Sequence, residues 1–213
     1  MGKCVIFCAG EFSGLIQPIA GDDYVIAADG GYAHVKALGL QPNCLLGDFD
    51  SLGYVPDSAL VYPVKKDDTD AMLAVRRGLE LGYREFLLYG TLDGPRLDHT
   101  VANLQLLHFL ASRGATGWLI GNTAAATAVQ NGTARFSAGA EGYFSAFCLG
   151  AAARGVTLEG AEYTLEDGTL TPDFPLGASN RFTGKPVRLQ VKDGTVLLIW
   201  DRSNGLCEVT HEA

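Results

Sequence analysis

The sequence predicts an α/β domain with a largely parallel sheet, followed by an all-β sandwich domain. Up to about residue 121, strand-like apolar runs alternate with helix-like runs, which is typical of a parallel sheet covered by helices. Beyond that point the helical period disappears, and short runs rich in Val, Thr, Phe and Tyr are separated by three hairpin-type dipeptides, Asn131-Gly132, Asp167-Gly168 and Asp193-Gly194. We therefore expect one domain over residues 1–123 and a second over residues 124–213.

The elements of the first domain follow from local signals along the chain. Three helices are predicted, over residues 31–39, 69–82 and 98–114, and each of them ends at a glycine. Thr69 has the side chain expected of an N-cap at the start of the second helix. The strand-like runs between the helices are KCVIFCAG, YVIAADG, NCLLGD, ALVYPV, EFLLYG and GWLI. In the second domain the corresponding runs are EGYFSAFCL, KPVRLQV and TVLLIW.

The composition excludes several classes of protein. The net charge is −8 and no stripe of Lys and Arg is visible, so we expect no nucleic-acid partner. No apolar run approaches the ~20 residues that a membrane span needs, and the start MGKCVIFCAG is too quickly polar for a signal peptide. The five cysteines form no CxxC pair, which argues against zinc and disulfides and favours reduced thiols in a cytoplasmic protein.

Aspartates follow the strand-like runs of the first domain. They stand at Asp29, at Asp48 and Asp50, at Asp67, Asp68 and Asp70, and at Asp93 and Asp98. In an open parallel sheet the carboxyl ends of the strands lie along one edge, where ligands bind. The pattern therefore predicts four acidic clusters that converge on one edge. Taken singly, Asp70 or Asp98 is equally well explained as a residue that caps the first turn of a helix.

The pair Asp48 and Asp50 indicates a metal–phosphate site. On an extended segment their side chains would share a face, and two carboxylates about 4 Å apart repel by ~1 kcal/mol in water and ~4 kcal/mol at an effective dielectric near 20. Asp70 would add to this repulsion, and a divalent cation would remove it. Oxygen ligands without a nearby His or Cys suit Mg²⁺, which commonly completes its shell with substrate phosphates.

A phosphate ligand also needs donors and cations. Gly30 and Gly31 precede a predicted helix, so their N–H groups could face an anion. The cations in the same loops are Lys65, Lys66 and Arg96. Neither the P-loop motif nor the dinucleotide-binding fingerprint occurs in the chain, so the common nucleotide-binding motifs do not apply.

Four acidic motifs in series, DGG, GDFDS, DxTD and RLDH, resemble those of the thiamine pyrophosphokinase family. The stretches that carry the resemblance are AADGGYAHVKALGLQPNCLLGDFDS, KKDDTDAMLAVRRGLELG, RLDHTVANL and ASN, in the same order from about residue 24 to about residue 200. The resemblance implies a homodimer of an α/β nucleotide-binding domain and a β-sandwich. It also implies transfer of the diphosphate group of ATP to the hydroxyethyl group of thiamine, with release of AMP. Thiamine would sit between the first domain of one subunit and the second domain of the other.

The resemblance assigns roles to individual residues. Mg²⁺ would be bound by Asp48, Asp50 and Asp70. The nucleotide would be bound by Asp29, Gly30, Gly31, Lys66, Asp67 and Thr69. The catalytic residues would be Asp70, Arg96 and Asp98. Thiamine would be bound by Asp98, His99, Ser179 and Asn180.

The chain departs from the family pattern at two places. Gly94-Pro95 stands where the family often has Gly-Gly before RLDH, and Pro95 removes an N–H donor that could face phosphate. Arg181 follows the Ser-Asn pair, where bacterial members often have Glu.

Three points stay open at the level of the sequence. Either Asp98 or Asp70 would orient or deprotonate the thiamine hydroxyl. The same acidic edge would also serve a Mg²⁺-dependent phosphotransferase or hydrolase that acts on another small alcohol or nucleotide. A sensor that binds thiamine or a nucleotide without turnover is the alternative outside the enzymes.

Overall fold

The computed structural model of the chain describes residues 2–50, 52–63 and 67–212. The chain forms two compact units. The first comprises the residues up to Asn103 together with Leu119–Asn122, and the second comprises Leu104–Trp118 and the residues from Thr123 onward. Two units agree with the expected pair of domains, whereas the boundary expected between residues 123 and 124 stays a prediction.

The first unit is built on a sheet whose described strand pairs are parallel. Its strands are β1 (Cys4–Phe7), β2 (Tyr24–Ala28), β3 (Cys44–Gly47), β4 (Leu60–Val61) and β5 (Glu85–Tyr89). They lie in the order β4-β3-β2-β1-β5, and each adjacent pair is parallel. The next strand along the chain is β6 (Thr116–Ile120). All four residues of β1 are buried, as is typical of a strand in a sheet covered on both faces.

Three helices accompany these strands, α1 (Tyr32–Ala37), α2 (Asp70–Glu80) and α3 (Leu97–Ala111). Thr69 is the N-cap of α2, as expected, because its side chain accepts a hydrogen bond from the Met72 N–H at 3.2 Å. Gly78 lets α2 approach the sheet closely, since a Cβ there would lie 2.5 Å from the Phe86 ring and 2.8 Å from the Cys4 sulfur. None of the helices in the described part of the chain is long and apolar enough to cross a membrane.

The strand order creates a switch point at β1. The chain runs outward from β1 through β2 and β3 to β4, and then returns to place β5 on the opposite side of β1. The loops that leave β1 and β5 therefore diverge, and a crevice opens between them at the carboxyl edge of the sheet. The acidic clusters are expected along this edge.

The described strand pairs of the second unit are antiparallel. Its strands are β7 (Ala124–Phe136), β8 (Tyr143–Cys148), β9 (Ala153–Glu159), β10 (Leu165–Leu170), β11 (Gly177–Arg181), β12 (Val187–Asp201) and β13 (Glu208–His211). β7 and β12 pair along almost their full length. The first half of β12 also pairs with β9, and its second half pairs with β8. One long two-stranded ribbon therefore takes part in two different groups of strands.

The three dipeptides expected at hairpin turns lie inside strands, so that expectation was wrong. Asn131-Gly132 lies within β7, Asp167-Gly168 within β10 and Asp193-Gly194 within β12. The register of the β7–β12 ladder shifts between Val191 and Thr195, where residues 192–194 of β12 stand opposite the single residue Asn131 of β7. The Asn131 side chain accepts a hydrogen bond from the Gly194 N–H at 2.9 Å and so joins β7 to this bulge of β12. These residues bend the ribbon instead of ending it.

The bend is large enough to bring the two ends of the ribbon together. Phe136 pairs with Val187 at one end of the ladder, and Trp200 pairs with Ala125 at the other. A straight ladder would separate these ends by about 35 Å, yet the rings of Phe136 and Trp200 are 5.2 Å apart, edge to face. Phe144 and Phe182 complete this aromatic core. The ribbon therefore folds back on itself around a core of rings, which is how bent strands form the corners of a sandwich.

Replacing Trp200 tests this core. Trp200 is 2% exposed and its indole N–H donates to the Gly205 carbonyl at 2.9 Å. We expect Trp200→Ala to lower the free energy of unfolding by about 3–5 kcal/mol, because it leaves a large cavity and an unpaired carbonyl. Urea denaturation followed by circular dichroism measures this. Phe174→Ala is the control, since Phe174 is 62% exposed, and equal losses in both variants would contradict the proposed core.

Candidate active site

A cavity of about 610 Å³ lies at the carboxyl edge of the sheet in the first unit. Residues that follow β1, β2, β3 and β5 line it, together with the first residues of α2 and residues of α3. All of its lining residues belong to the first unit. The cavity therefore occupies the switch point that the strand order creates, which is the usual ligand site of such sheets.

Three carboxylates meet at this cavity. Asp29, Asp48 and Asp50 each offer an oxygen, and these oxygens lie within 4.8 Å of one another. Asp29 is buried, Asp48 is half-buried and Asp50 is exposed. Asp70 lines the same cavity but is outside this group. Two of the three expected metal ligands, Asp48 and Asp50, thus lie in this group. Asp29, which we assigned to the nucleotide, is its third member, and the metal role expected of Asp70 stays a prediction.

The loop after β3 is not extended, contrary to the expectation from which the Asp48–Asp50 pair was argued. Phe49 has φ 59° and is buried, so the backbone reverses between the two carboxylates. The Asp48 side chain accepts a hydrogen bond from the Asp50 N–H at 3.3 Å, which closes a small turn. A bulky residue with positive φ is strained, and such strain clusters at functional sites. The carboxylates are held together by this turn and not by a shared strand face.

Close backbone packing places Asp29 beside this turn. Asp29 opens a 3-10 turn, Asp29–Gly31, with φ 48°. A Cβ on Gly31 would lie 2.0 Å from the Phe7 carbonyl oxygen, and a Cβ on Gly47 would lie 3.1 Å from Asp29. Gly31 thus lets the turn contact the end of β1, and Gly47 lets the end of β3 pass Asp29. The nucleotide role expected of Gly30 and Gly31 stays a prediction.

The start of α2 forms another part of the cavity. Asp68, Thr69 and Asp70 line it. Asp68 forms an ion pair with Arg76, eight residues further along the chain, and its Oδ2 is 2.9 Å from the Arg76 Nε. Asp67 is exposed, and Lys66, which we assigned to the nucleotide, lies outside the described residues. The positive dipole end of α2 therefore lies at the cavity, next to a loop that is rich in carboxylates.

Arg96 and Asp98 form a tight ion pair at the start of α3. The Arg96 Nη2 is 2.6 Å from the Asp98 Oδ2, and both side chains are more than half exposed. The hydrogen bond from Arg96 lowers the pKa of the Asp98 carboxyl below its ordinary value, so Asp98 is a weakened base in this arrangement. Arg96 and His99 line the cavity, whereas Asp98 is not among the described residues that line it.

Ser179 and Asn180 lie in β11 of the second unit. Ser179 is exposed and has φ 56°. The Asn180 side chain is buried, accepts hydrogen bonds from the N–H groups of Tyr163 and Arg181, and donates to the Tyr163 carbonyl at 2.7 Å. Asn180 therefore fixes the backbone around Ser179, and a contact of its own side chain with thiamine stays a prediction.

Several residues that line the cavity were not predicted from the sequence, among them Cys8, Thr91 and Asn103. Burial raises the pKa of the Cys8 thiol to about 12, with further contributions from Asp70 and Asp29. The thiol therefore stays protonated beside the carboxylates. The position of Asn103 one helical turn after His99 was a signal for it, whereas Cys8 and Thr91 are located only by the strand order.

The residues that line this cavity are suited to bind a cation and an anion next to each other. The carboxylates supply oxygen ligands for a divalent cation. The start of α2 and Arg96 supply N–H groups and positive charge for an anion. Carboxylates outside the group of three, such as Asp70, can hold or accept a proton.

Two family models match the chain. The model of the thiamin pyrophosphokinase catalytic domain matches residues 17–116, and that of the thiamin pyrophosphokinase vitamin B1 binding domain matches residues 135–196. A structure of thiamine pyrophosphokinase from Bacillus subtilis superposes with a TM-score of 0.78 at 22% identity, over 93% of this chain and 97% of that one. A thiamin pyrophosphokinase family protein from Enterococcus faecalis gives 0.78 at 23% identity, over 94% and 99%.

The similarity extends to a fungal structure. Thiamin pyrophosphokinase from Candida albicans superposes with a TM-score of 0.72 at 14% identity, over 93% of this chain and 88% of that one. At these identities the structures establish a common fold. Among curated protein sequences, none matches the chain.

Gly47→Ala tests how the three carboxylates are positioned. The added Cβ would press on Asp29, and Gly47 has φ 143°, which a side chain disfavours. We expect the affinity of the purified protein for Mn²⁺, measured by electron paramagnetic resonance, to fall about tenfold or more. Gly53→Ala is the matched control, because Gly53 also has a positive φ but open space around it. Equal Mn²⁺ affinities in the two variants would refute this account.

Proposed function

The chain belongs to the thiamin pyrophosphokinase family, and on that premise we propose that the cavity of the first unit is where it transfers the diphosphate group of ATP to thiamine. The nucleophile of this reaction is the hydroxyl of the thiamine hydroxyethyl group, and AMP is the leaving group. The observation that supports the proposal most directly is the group of three carboxylates, Asp29, Asp48 and Asp50, at the carboxyl edge of the sheet.

The donor set at this group suits Mg²⁺. It consists of carboxylate oxygens within 4.8 Å of one another, and hard oxygen ligands favour Mg²⁺ over softer metals. Asp29, Asp48 and Asp50 would hold the ion, instead of the expected set with Asp70. When bound, the ion supplies positive charge to the phosphate oxygens of ATP.

The start of α2 is proposed to bind the phosphates. Thr69 lines the cavity and its side chain caps the helix, so the positive dipole end of α2 faces an anion bound in the cavity. Arg96 lines the cavity from the side of α3 and can neutralise charge on the transferring group. Phosphoryl transfer depends on such positioning more than on covalent chemistry.

Asp70 is the stronger of the two candidates for handling the hydroxyl proton. Asp70 lines the cavity and is outside the group of three carboxylates. Asp98 is paired with Arg96, and its pKa is lowered by that hydrogen bond, so it accepts a proton less readily. We therefore propose that Asp70 orients or deprotonates the hydroxyl, and that Asp98 positions Arg96.

Thiamine carries a positive thiazolium ring, which the acidic cavity attracts. We propose that its other contacts come from the region of Ser179, which Asn180 supports, and that they are supplied by a second copy of the chain in a homodimer. Two exposed apolar side chains one turn apart on α3, Leu97 at 76% and Val101 at 50% exposure, support burial against a partner.

Asp48→Asn tests the catalytic assignment. The variant keeps the size of the side chain and removes its charge, so we expect the rate of thiamine diphosphate and AMP formation to fall at least about a hundredfold while the circular dichroism spectrum is unchanged. Chromatography of the products from ATP, Mg²⁺ and thiamine measures this rate. Asp57→Asn is the control, since Asp57 is exposed and does not line the cavity.

Near-normal turnover by Asp48→Asn would contradict the metal assignment. The same assay separates the proposed reaction from its rivals. Release of ADP or free phosphate would indicate a different transferase or a hydrolase, and binding of thiamine without any product would indicate a sensor.

Mixing two inactive variants tests the shared site. Asp48→Asn disables the first unit, and Ser179→Trp is expected to block the exposed surface of β11. If each site uses both subunits, half of the randomly mixed dimers are heterodimers with one intact site of two, so the mixture should recover about a quarter of wild-type activity. No recovery under conditions where sedimentation shows subunit exchange would contradict the shared site.

A further inference from the structure

Asn103 presents a buried polar group to the cavity that the proposed mechanism does not use. The residue lies on α3, lines the cavity and is 8% exposed. Its Nδ2 donates a hydrogen bond to the Thr91 carbonyl at 2.8 Å. This bond determines the orientation of the Asn103 amide, because only its nitrogen, and not its oxygen, can donate to a carbonyl.

The Oδ1 atom of Asn103 is therefore a fixed hydrogen-bond acceptor. Within residues 2–50, 52–63 and 67–212, no protein group donates to it, and it is not sealed off from the cavity. An acceptor that opens on the cavity and has no protein donor is available to a ligand that brings one. Phosphate oxygens cannot fill this role at neutral pH, since they are acceptors themselves.

The strand order separates this acceptor from the cation site. Thr91, to which the amide is bonded, follows β5, whereas Asp29 follows β2 on the other side of β1. Two strand spacings are about 10 Å. Asn103 therefore lies too far from the three carboxylates to share their cation. A nucleotide whose phosphates are held there would reach Asn103 with its nucleoside half.

We propose that Asn103 recognises the adenine base of ATP, with its Oδ1 accepting a hydrogen bond from the 6-amino group. The Nδ2 carries a second hydrogen beyond the one given to Thr91, so the amide offers an acceptor and a donor side by side. Adenine has the complementary pair, an amino donor next to a ring-nitrogen acceptor, and Asn is the side chain that commonly reads it. This inference rests on the proposed function, in which ATP occupies the cavity.

The experiment compares ATP with ITP, in which a carbonyl oxygen replaces the 6-amino group. With thiamine saturating, we expect the wild-type protein to use ATP at least about tenfold better in kcat/KM, because two acceptors would face each other with ITP. 2′-Deoxy-ATP should be used as well as ATP. Calorimetry with AMP and IMP should show the same preference in binding.

Asn103→Leu should bring the ATP-to-ITP ratio close to one and leave the KM for thiamine unchanged. The matched control is Gln105→Leu, the same chemical change at an exposed position of α3 that does not line the cavity, and it should keep the wild-type ratio. If Asn103→Leu does not fold, the wild-type ratios in turnover and binding still decide the matter.

Several outcomes would overturn the inference. Equal use of ATP and ITP by the wild-type protein would do so, as would an unchanged ratio in Asn103→Leu. A raised KM for thiamine in that variant would assign the acceptor to thiamine, and rejection of 2′-deoxy-ATP alone would assign it to the ribose. Failure of the proposed function looks different, because no nucleotide would then yield thiamine diphosphate.

Discussion

Repulsion between three carboxylates is the constraint around which the first unit is organised. With oxygens within 4.8 Å, each pair of charges repels by about 1 kcal/mol in water and up to about 4 kcal/mol at an effective dielectric near 20. The fold tolerates this because each carboxylate is fixed by its backbone: Asp29 by a turn packed on β1 through Gly31, and Asp48 and Asp50 by the turn at Phe49. A cation at this group would relieve the repulsion without any rearrangement of these turns.

The sequence was sufficient to predict where this site lies. Alternating strand and helix patterns place every strand end on one edge, so the position of the acidic residues along the chain located the cavity. It was not sufficient to predict which carboxylates meet. That depends on positive φ values at Asp29 and Phe49, which a residue other than glycine adopts only when tertiary packing imposes them. The group of three therefore includes Asp29, which the sequence pattern did not place there.

In the second unit, the local backbone conformation was predictable from the sequence, but the pairing of the strands was not. Asn-Gly and Asp-Gly dipeptides signal a backbone with positive φ, and Asn131 and Asp167 indeed have it. The same local conformation serves a hairpin turn or a bulge, and only the partner strand decides between them. Here β7 and β12 continue through their dipeptides because each has a partner on both sides of the bulge. The dipeptides therefore indicated the positive φ values correctly, and the pairing of distant strands decided that they form bulges and not hairpin turns.

The bent ribbon of β7 and β12 also governs how the chain folds. Ala124 pairs with Asp201, so the ladder that carries the aromatic core closes a loop containing β8 to β11. Such non-local pairing makes folding slow, because the entropy of loop closure is lost before contacts form. During synthesis the second unit cannot complete its central ladder until the whole of β12, up to Asp201, has left the ribosome. The strands β1 to β5 of the first unit end at Tyr89, so they are all synthesised long before β12.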